Sequence, residues 1–169
     1  GDGKQKYHRV PEVPPCQEKK AMSHDQRLQA LGLPPIDQIG FVVKDMDAWV
    51  ARFDPVFGPF SFMDGSVAGA EFRGRTEDVQ LRLGFGRSGD MEIELIEWQS
   101  GVSPHSEFIE SGREGMHHLR FRVEDTDHWI SELARLGYTP FWYKRWSSDT
   151  VFAYLESPGF PLYLELLQM

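Results

Sequence analysis

The chain repeats itself. From Ile36 the sequence runs IDQIGFVVKDMDAWVARF, and from Met116 it runs MHHLRFRVEDTDHWISEL, the same pattern 80 residues later (116 − 36). Phe41 meets Phe121, Val43 meets Val123, Asp45 meets Asp125, Asp47 meets Asp127 and Trp49 meets Trp129. A second pair of stretches, VQLRLGFGRSGDMEIELIE from Val79 and TVFAYLESPGFPLYLELLQ from Thr150, lies 71 residues apart (150 − 79) and brings Ile93-Glu94-Leu95 onto Leu164-Glu165-Leu166. The later copy is therefore nine residues shorter between its anchors (80 − 71). Self-similarity at a fixed spacing means that the chain builds one supersecondary unit twice.

Each copy parses in the same way. A strand with period-2 patterning comes first, over about 36–43 or 117–123. Asp45 or Asp125 follows as a helix N-cap, its carboxylate free to accept from unpaired backbone N–H groups. The helix then carries Trp49, Val50 and Phe53, or Trp129, Ile130, Leu133 and Leu136, on one face. Gly137 is placed to close the second helix in a left-handed cap. Three strands complete the unit, with turns at RSGD and SPG. The expected division is an extended, proline-rich arm over 1–35, a βαβββ module over 36–98, a linker over 99–115 and a second module over 116–169. The arm has room for a short helix over Asp25–Leu31. In the linker, Ser103 is a predicted N-cap, Pro104 the first helical residue and Gly112 the stop. The fold class predicted is α+β: two tandem modules whose strands form an open, barrel-like sheet.

Composition narrows the function. The net charge of −8 lacks the basic footprint that nucleic-acid binding needs. No apolar run is long enough for a membrane span, and the opening GDGKQKYHRVPEVPP reads as polar rather than as a secretory leader. The single cysteine, Cys16, excludes an intramolecular disulfide framework and fits a reducing, cytoplasmic setting. These features leave a small molecule or another protein as the partner. The arm could close a cavity or cover a partner chain, and a homodimer is expected.

Alternation sorts the side chains. Leu119, Phe121 and Val123 form an apolar set that should pack on the module's own helix, with His117 among them. His118, Arg120 and Arg122 then face the concavity, and by the repeat so do Gln38, Gly40 and Val42. Glu94 and Glu165, each flanked by aliphatic neighbours, point the same way. A carboxylate in such surroundings is costly unless paired or metal-bound. The repeat makes Gln38 equivalent to His118 and Glu94 to Glu165, so four inward donors are predicted to meet: one nitrogen and three oxygens. Such a set suits one divalent ion. His117 is read as structural, hydrogen-bonded to a nearby loop, and His105 and His128 as helix-surface residues. Arg82, Arg120 and Arg122 could clamp a carboxylate or phosphate, or pair with Glu92 and other local carboxylates. In the aromatic segment Phe141, Trp142, Tyr143 and Trp146, Trp142 and Trp146 could wall a ligand site or pack the core.

The residues from 36 to 169 resemble the vicinal oxygen chelate superfamily, which takes in glyoxalase I, methylmalonyl-CoA epimerase, extradiol dioxygenases and the bleomycin-resistance proteins. SPHSEFIESGREGMHHLRFRVEDTD looks most like the epimerase, and IELIE and LELL look like its ligand-bearing strands. The resemblance implies paired βαβββ modules around a metal site with Gln38, Glu94, His118 and Glu165 as ligands of one Zn, Ni, Co, Mn or Mg ion. The epimerases usually carry His in the first position and often Gln in the second; the Gln/Glu/His/Glu set is similar to that of eukaryotic glyoxalase I. The strand VQLRL places Leu81 where an epimerase carries a second acid–base carboxylate. The implied activity is that of an isomerase, epimerase or lyase acting by proton abstraction next to a carbonyl, with Glu165 and then Glu94 as the catalytic base. The implied substrate is a small carbonyl compound, an anion or acyl-CoA among the candidates. A protein that sequesters an aromatic or drug-like molecule without turnover is the alternative. A ring-cleaving dioxygenase would need two His and one carboxylate, and Gln38 occupies the place of one of those histidines.

Overall fold

The computed structural model describes residues 31–169, and Leu33–Met169 form one compact unit. The expected arm, short helix included, falls outside the described residues except for its last positions. The elements are β1 (Ile36–Val43), α1 (Met46–Phe57), β2 (Ser61–Asp64), β3 (Val67–Phe72), β4 (Arg75–Ser88), β5 (Met91–Gly101), α2 (Pro104–Glu110), β6 (Gly115–Arg122), α3 (Thr126–Ala134), β7 (Thr139–Arg145), β8 (Val151–Ser157) and β9 (Phe160–Gln168). None of the described helices is long and apolar enough to cross a membrane.

Local chemistry sets the helix ends. Asp45 Oδ1 accepts from the Ala48 N–H at 3.1 Å, and Asp125 Oδ1 from the His128 N–H at 3.0 Å. Ser103 caps α2 in a reciprocal box with Ser106, and Pro104 opens the helix. Beyond α3 the Tyr138 N–H reaches back to the Leu133 carbonyl at 3.2 Å, a closure that needs the left-handed backbone of Gly137, φ 87°.

The strands make one mixed sheet in the order β2-β4-β3-β7-β8-β9-β6-β1-β5, and β5 also pairs with β4. Eight strands thus close into a ring, and β2 is an extra flap on β4. The ring closes at β3–β7 through only two residue pairs, Glu71–Tyr143 and Phe72–Trp142. The two halves meet where β1 runs antiparallel to β6, and each of these is flanked by the last strand of its own half in parallel.

The first half departs from the expected pattern by having four strands after its helix. Its longer connection folds back as β2, whose Ser61–Asp64 pair with Arg82–Phe85 of the 14-residue β4. Val67–Phe72 pair with the opposite end of β4. All four β2 residues are exposed.

Two bulges mark equivalent places in the halves. Ile36 and Gln38 face the adjacent residues Phe121 and Arg120, so Asp37 is extra in β1. Gly40 and Phe41 face His118 and Met116, so His117 is extra in β6. A bulge interrupts strict alternation and re-aims a side chain.

Apolar residues fill two kinds of space. Outside the ring, Phe41, Val43 and Leu95 pack on Met46, Trp49, Val50 and Phe53 of α1, and Val123, Leu155 and Leu166 pack on Leu133, Trp129 and Ile130 of α3. Leu95 and Leu166 are fully buried, each such side chain stabilising the fold by about 1.5–3 kcal/mol. Inside the ring, Val42, Val79, Leu81, Ile96, Phe141, Trp142, Phe152 and Tyr163 line a separate apolar interior.

Candidate metal centre

Strand register brings the polar interior together. Gly40 sits beside Glu94 on β5 and His118 on β6, and Arg120 sits beside Gln38 on β1 and Glu165 on β9. Laterally paired residues share a face of the sheet. Gln38 and His118 are completely buried, Glu94 is 7% exposed and Glu165 9%. His118 Nε2 lies 3.2 Å from Gln38 Oε1, 3.3 Å from Glu94 Oε2 and 3.1 Å from Glu165 Oε2. Ligand atoms of Glu94, His118 and Glu165 all lie within 4.8 Å of one another. The Gln38 amide is oriented by its N–H bond to Glu92 Oε1 at 2.7 Å, which turns its oxygen toward His118. The imidazole of His118 lies over Gly40, where any β-carbon would overlap the ring. Glycine at position 40 is thus what lets the imidazole into the centre.

Charge in this pocket is tightly balanced. Burial pulls the His118 imidazole down, but hydrogen bonds to Glu165 and Glu94 outweigh it and hold its pKa at about 9. Burial pushes the Glu94 carboxyl up, against the pull of His118. Two desolvated carboxylates, an imidazole nitrogen and an amide oxygen converging over this span fit a divalent cation, whose 2+ charge the two carboxylates balance.

Behind the centre stands a second buried polar group. His117 Nδ1 lies 3.1 Å from His118 Nδ1. Since His118 turns Nε2 to the carboxylates, its Nδ1–H is the donor and His117 Nδ1 the acceptor. Burial pushes His117 well below the ordinary histidine range, so it stays neutral and able to accept. His117 Nε2 finds no hydrogen-bond partner among the described residues. His105 is fully buried; its Nε2 meets the Tyr154 hydroxyl at 3.3 Å and its Nδ1 the Ser103 hydroxyl at 3.1 Å. Burial takes His105 down to about 3 and raises the Tyr154 phenol well above its usual value.

Beside the centre opens a cavity of about 470 Å³ that Glu94, Glu165, His105, Arg120 and Tyr154 border at its polar end. Of the residues expected at a ligand wall, Trp142 and Trp146 line it, the first buried and the second 52% exposed at its open side. Arg120 borders the cavity too, but it is bound by Asp37 through two bonds of 2.9 and 3.0 Å and touches Glu92 at 3.4 Å.

Several expectations are corrected. His117 does not face α3: the bulge turns it to the same side as His118, among Phe108, Tyr163 and His105, with its Nδ1 against His118. His105 is not on the helix surface but in the core, whereas His128 is exposed. Arg82 is not in the concavity. On β4 the apolar Leu81, Leu83 and Phe85 face inward, so Arg82 lies outside, 3.2 Å from Asp47 of α1 and over the Phe62 ring at 4.9 Å. Arg122 is exposed and, among the described residues, hydrogen-bonds only Met169 Sδ, at 3.6 Å. Sequence reasoning missed Asp37, Tyr154 and His105. A bulge gives no alternation signal, and nothing local distinguishes a buried first-turn histidine from an exposed one.

Comparisons with known proteins follow the same lines. A family profile described as the Glyoxalase/Bleomycin resistance protein/Dioxygenase superfamily matches residues 37–154. No curated protein sequence matches the chain significantly. Among solved structures, a hypothetical protein from Bacillus halodurans C-125 superposes with TM-score 0.56 at 21% identity over 80% of this chain and 94% of its own. Methylmalonyl-CoA epimerase from Mycobacterium tuberculosis superposes with TM-score 0.54 at 16% identity, over 80% and 87%. A methylmalonyl-CoA epimerase in complex with methylmalonyl-CoA and NH4+ gives 0.51 at 21% identity, over 80% and 94%. At these identities the likeness is one of fold.

Proposed function

The chain belongs to the Glyoxalase/Bleomycin resistance protein/Dioxygenase superfamily, and on that footing we propose that it is a metal-dependent isomerase, epimerase or lyase that removes a proton next to a substrate carbonyl. One observation carries this reading: Glu94 and Glu165, both desolvated, each place an oxygen within 3.3 Å of one buried imidazole nitrogen at the edge of a substrate-sized cavity. Gln38, Glu94, His118 and Glu165 would hold the ion. When bound, a divalent ion supplies the electrophilic charge that stabilises an enolate oxygen.

The chain's own residues do the rest. Glu165 is the base, taking the proton from the carbon next to the carbonyl; Glu94 is the second candidate for that role. Both border the cavity, so neither must move far to meet a substrate there. His118 keeps its Nδ1 proton on His117, which frees Nε2 for the centre. The Tyr154 hydroxyl, kept protonated by burial, remains a donor beside Glu165 on the neighbouring strand. The apolar wall excludes water and strengthens each of these interactions.

The test begins with elemental analysis of purified protein, alongside Glu165→Gln and His118→Ala. Stoichiometric metal in the wild type and its loss in both variants is expected; a wild type without metal affinity would sink the proposal. Solvent deuterium exchange into methylmalonyl-CoA and related acyl thioesters, and turnover of a hemithioacetal, then read the chemistry. The apolar cavity favours a second reading, sequestration of an aromatic molecule without turnover. Tight binding of aromatic ligands with no exchange or turnover of any carbonyl compound would select it.

A further inference from the structure

A chain of hydrogen bonds runs from the linker helix into the cavity wall. It starts at Ser103, the N-cap of α2, whose hydroxyl accepts from the backbone N–H groups of His105 and Ser106. Those two bonds occupy both lone pairs of the oxygen. Its own proton then goes to its remaining neighbour, His105 Nδ1, at 3.1 Å. Burial keeps the His105 imidazole neutral, so with Nδ1 accepting its one proton sits on Nε2. His105 Nε2–H therefore donates to the Tyr154 oxygen at 3.3 Å.

That fixes the direction at Tyr154. With the other imidazole tautomer the phenol would donate into the wall. Here it accepts from the wall, and its own proton is directed away from His105. His105 and Tyr154 both border the cavity, and Glu165 pairs with Tyr154 across the neighbouring strand. Glu94 and Glu165 each turn an oxygen to His118 Nε2, and among the described residues the Tyr154 hydroxyl has no partner besides His105. A second donor stands in the same wall. Trp142 is buried with its ring 4.9 Å from that of Tyr154, and its Nε1–H has no partner among the described residues. A desolvated donor without an acceptor is costly, and two of them on one wall point to an acceptor that arrives with a ligand.

We propose that the Tyr154 hydroxyl donates to an acceptor oxygen of the ligand in this cavity, a contact that needs no metal, and that His105 is the positioning residue that sets its direction. The N-cap of α2 thus decides which way a proton faces at the site. The proposal rests on the proposed function only in taking the cavity as the ligand site; the order of donors and acceptors follows from Ser103, His105 and Tyr154 themselves.

The experiment uses the full chain as purified. 15N NMR at neutral pH reads the tautomer, with His105 Nε2 protonated and Nδ1 bare as the expected result; the reverse overturns the proposal. Two probes of matched shape then read the donor by titration. Acetophenone carries a carbonyl oxygen, and α-methylstyrene has a CH2 group in its place. Tyr154→Phe should weaken acetophenone by about fivefold and leave α-methylstyrene unchanged. Ser103→Asn keeps an N-cap but sets a carbonyl oxygen, which only accepts, against His105 Nδ1. The tautomer should then invert, the Tyr154 proton should turn to His105, and the acetophenone loss should reappear with Tyr154 in place. Equal weakening of both probes in Tyr154→Phe, or of neither, overturns the proposal, as does a wild type that binds neither probe. Acetophenone binding that does not follow the tautomer in Ser103→Asn overturns the role of His105; if that variant does not fold, the wild-type tautomer and Tyr154→Phe decide. A protein without metal affinity would sink the metal centre and leave these measurements to decide the donor.

Discussion

Replacing Gly40 by alanine adds one methyl group, and the atoms nearest to that methyl all belong to the His118 ring. Gly40 is not among the residues with positive φ, so its backbone suits alanine. By the unfolded-chain argument alone, Gly40→Ala should stabilise the protein by about 0.4–1 kcal/mol. The His118 ring reverses that sign, because it occupies the space the methyl would take. Forcing a group into a packed site costs about 1–3 kcal/mol. If the ring is displaced, its contacts to Gln38, Glu94 and Glu165 go with it, at about 1.5–3 kcal/mol for a hydrogen bond to a charged group. The expected net loss is about 2–4 kcal/mol in urea unfolding with chelator present, together with a loss of metal affinity. The decisive measurement is the same substitution in a His118→Ala background. There the obstacle is gone, and Gly40→Ala should be neutral or stabilising. Equal destabilisation in both backgrounds would refute the reasoning, since the cost would then lie in the backbone or elsewhere.

Other outcomes follow from the same geometry. His118 has a folded pKa of about 9 against an ordinary 6.5, so the metal-free protein holds this stabilisation fully below pH 6.5 and loses it as pH rises through 9. The whole effect is about 3 kcal/mol, and the pushed-up Glu94 carboxyl acts in the same direction; melting temperature against pH in chelator reads it. His117→Phe removes the acceptor for the His118 Nδ1–H and is expected to weaken metal binding by about tenfold or more. His117→Asn should recover part of that loss, and 15N NMR of His118 should report the altered proton position. Arg73 bridges Glu107 on α2 and Glu156 on β8 at 2.8 and 2.7 Å, next to the two-pair seam of the ring. Arg73→Ala should cost about 1 kcal/mol, with amide exchange accelerated at Phe72 and Trp142 before the rest of the sheet.

Alternation in the sequence assigned Gln38, Glu94, His118 and Glu165 to one face because each lies in a stretch whose opposite face is covered by its own helix. The rule inverts on β4. Its apolar residues line the cavity, and its polar ones look outward past the flap of β2. A period of two separates the faces of a strand without saying which face is interior. Arg82 was misplaced for that reason. His117 was misplaced for a different one: a bulge moves two neighbours to one side, and no residue pattern in MHHL announces it. The pairing of Arg120 with Asp37 depends on the equivalent bulge in β1 and was equally hidden. The closure of the ring by two residue pairs lay beyond reach, since it joins strands far apart in sequence.

The internal repeat has a consequence for direction. Exchanging the two halves carries Glu94 onto Glu165, which are alike, and Gln38 onto His118, which are not. A centre with true twofold symmetry would offer any ligand two equivalent ways of sitting down. Here a single amide-for-imidazole difference, reinforced by Gly40 beneath one ring alone, removes that equivalence. Which way round a ligand sits is set where the two halves disagree, at Gln38 against His118 and at Gly40 against Arg120.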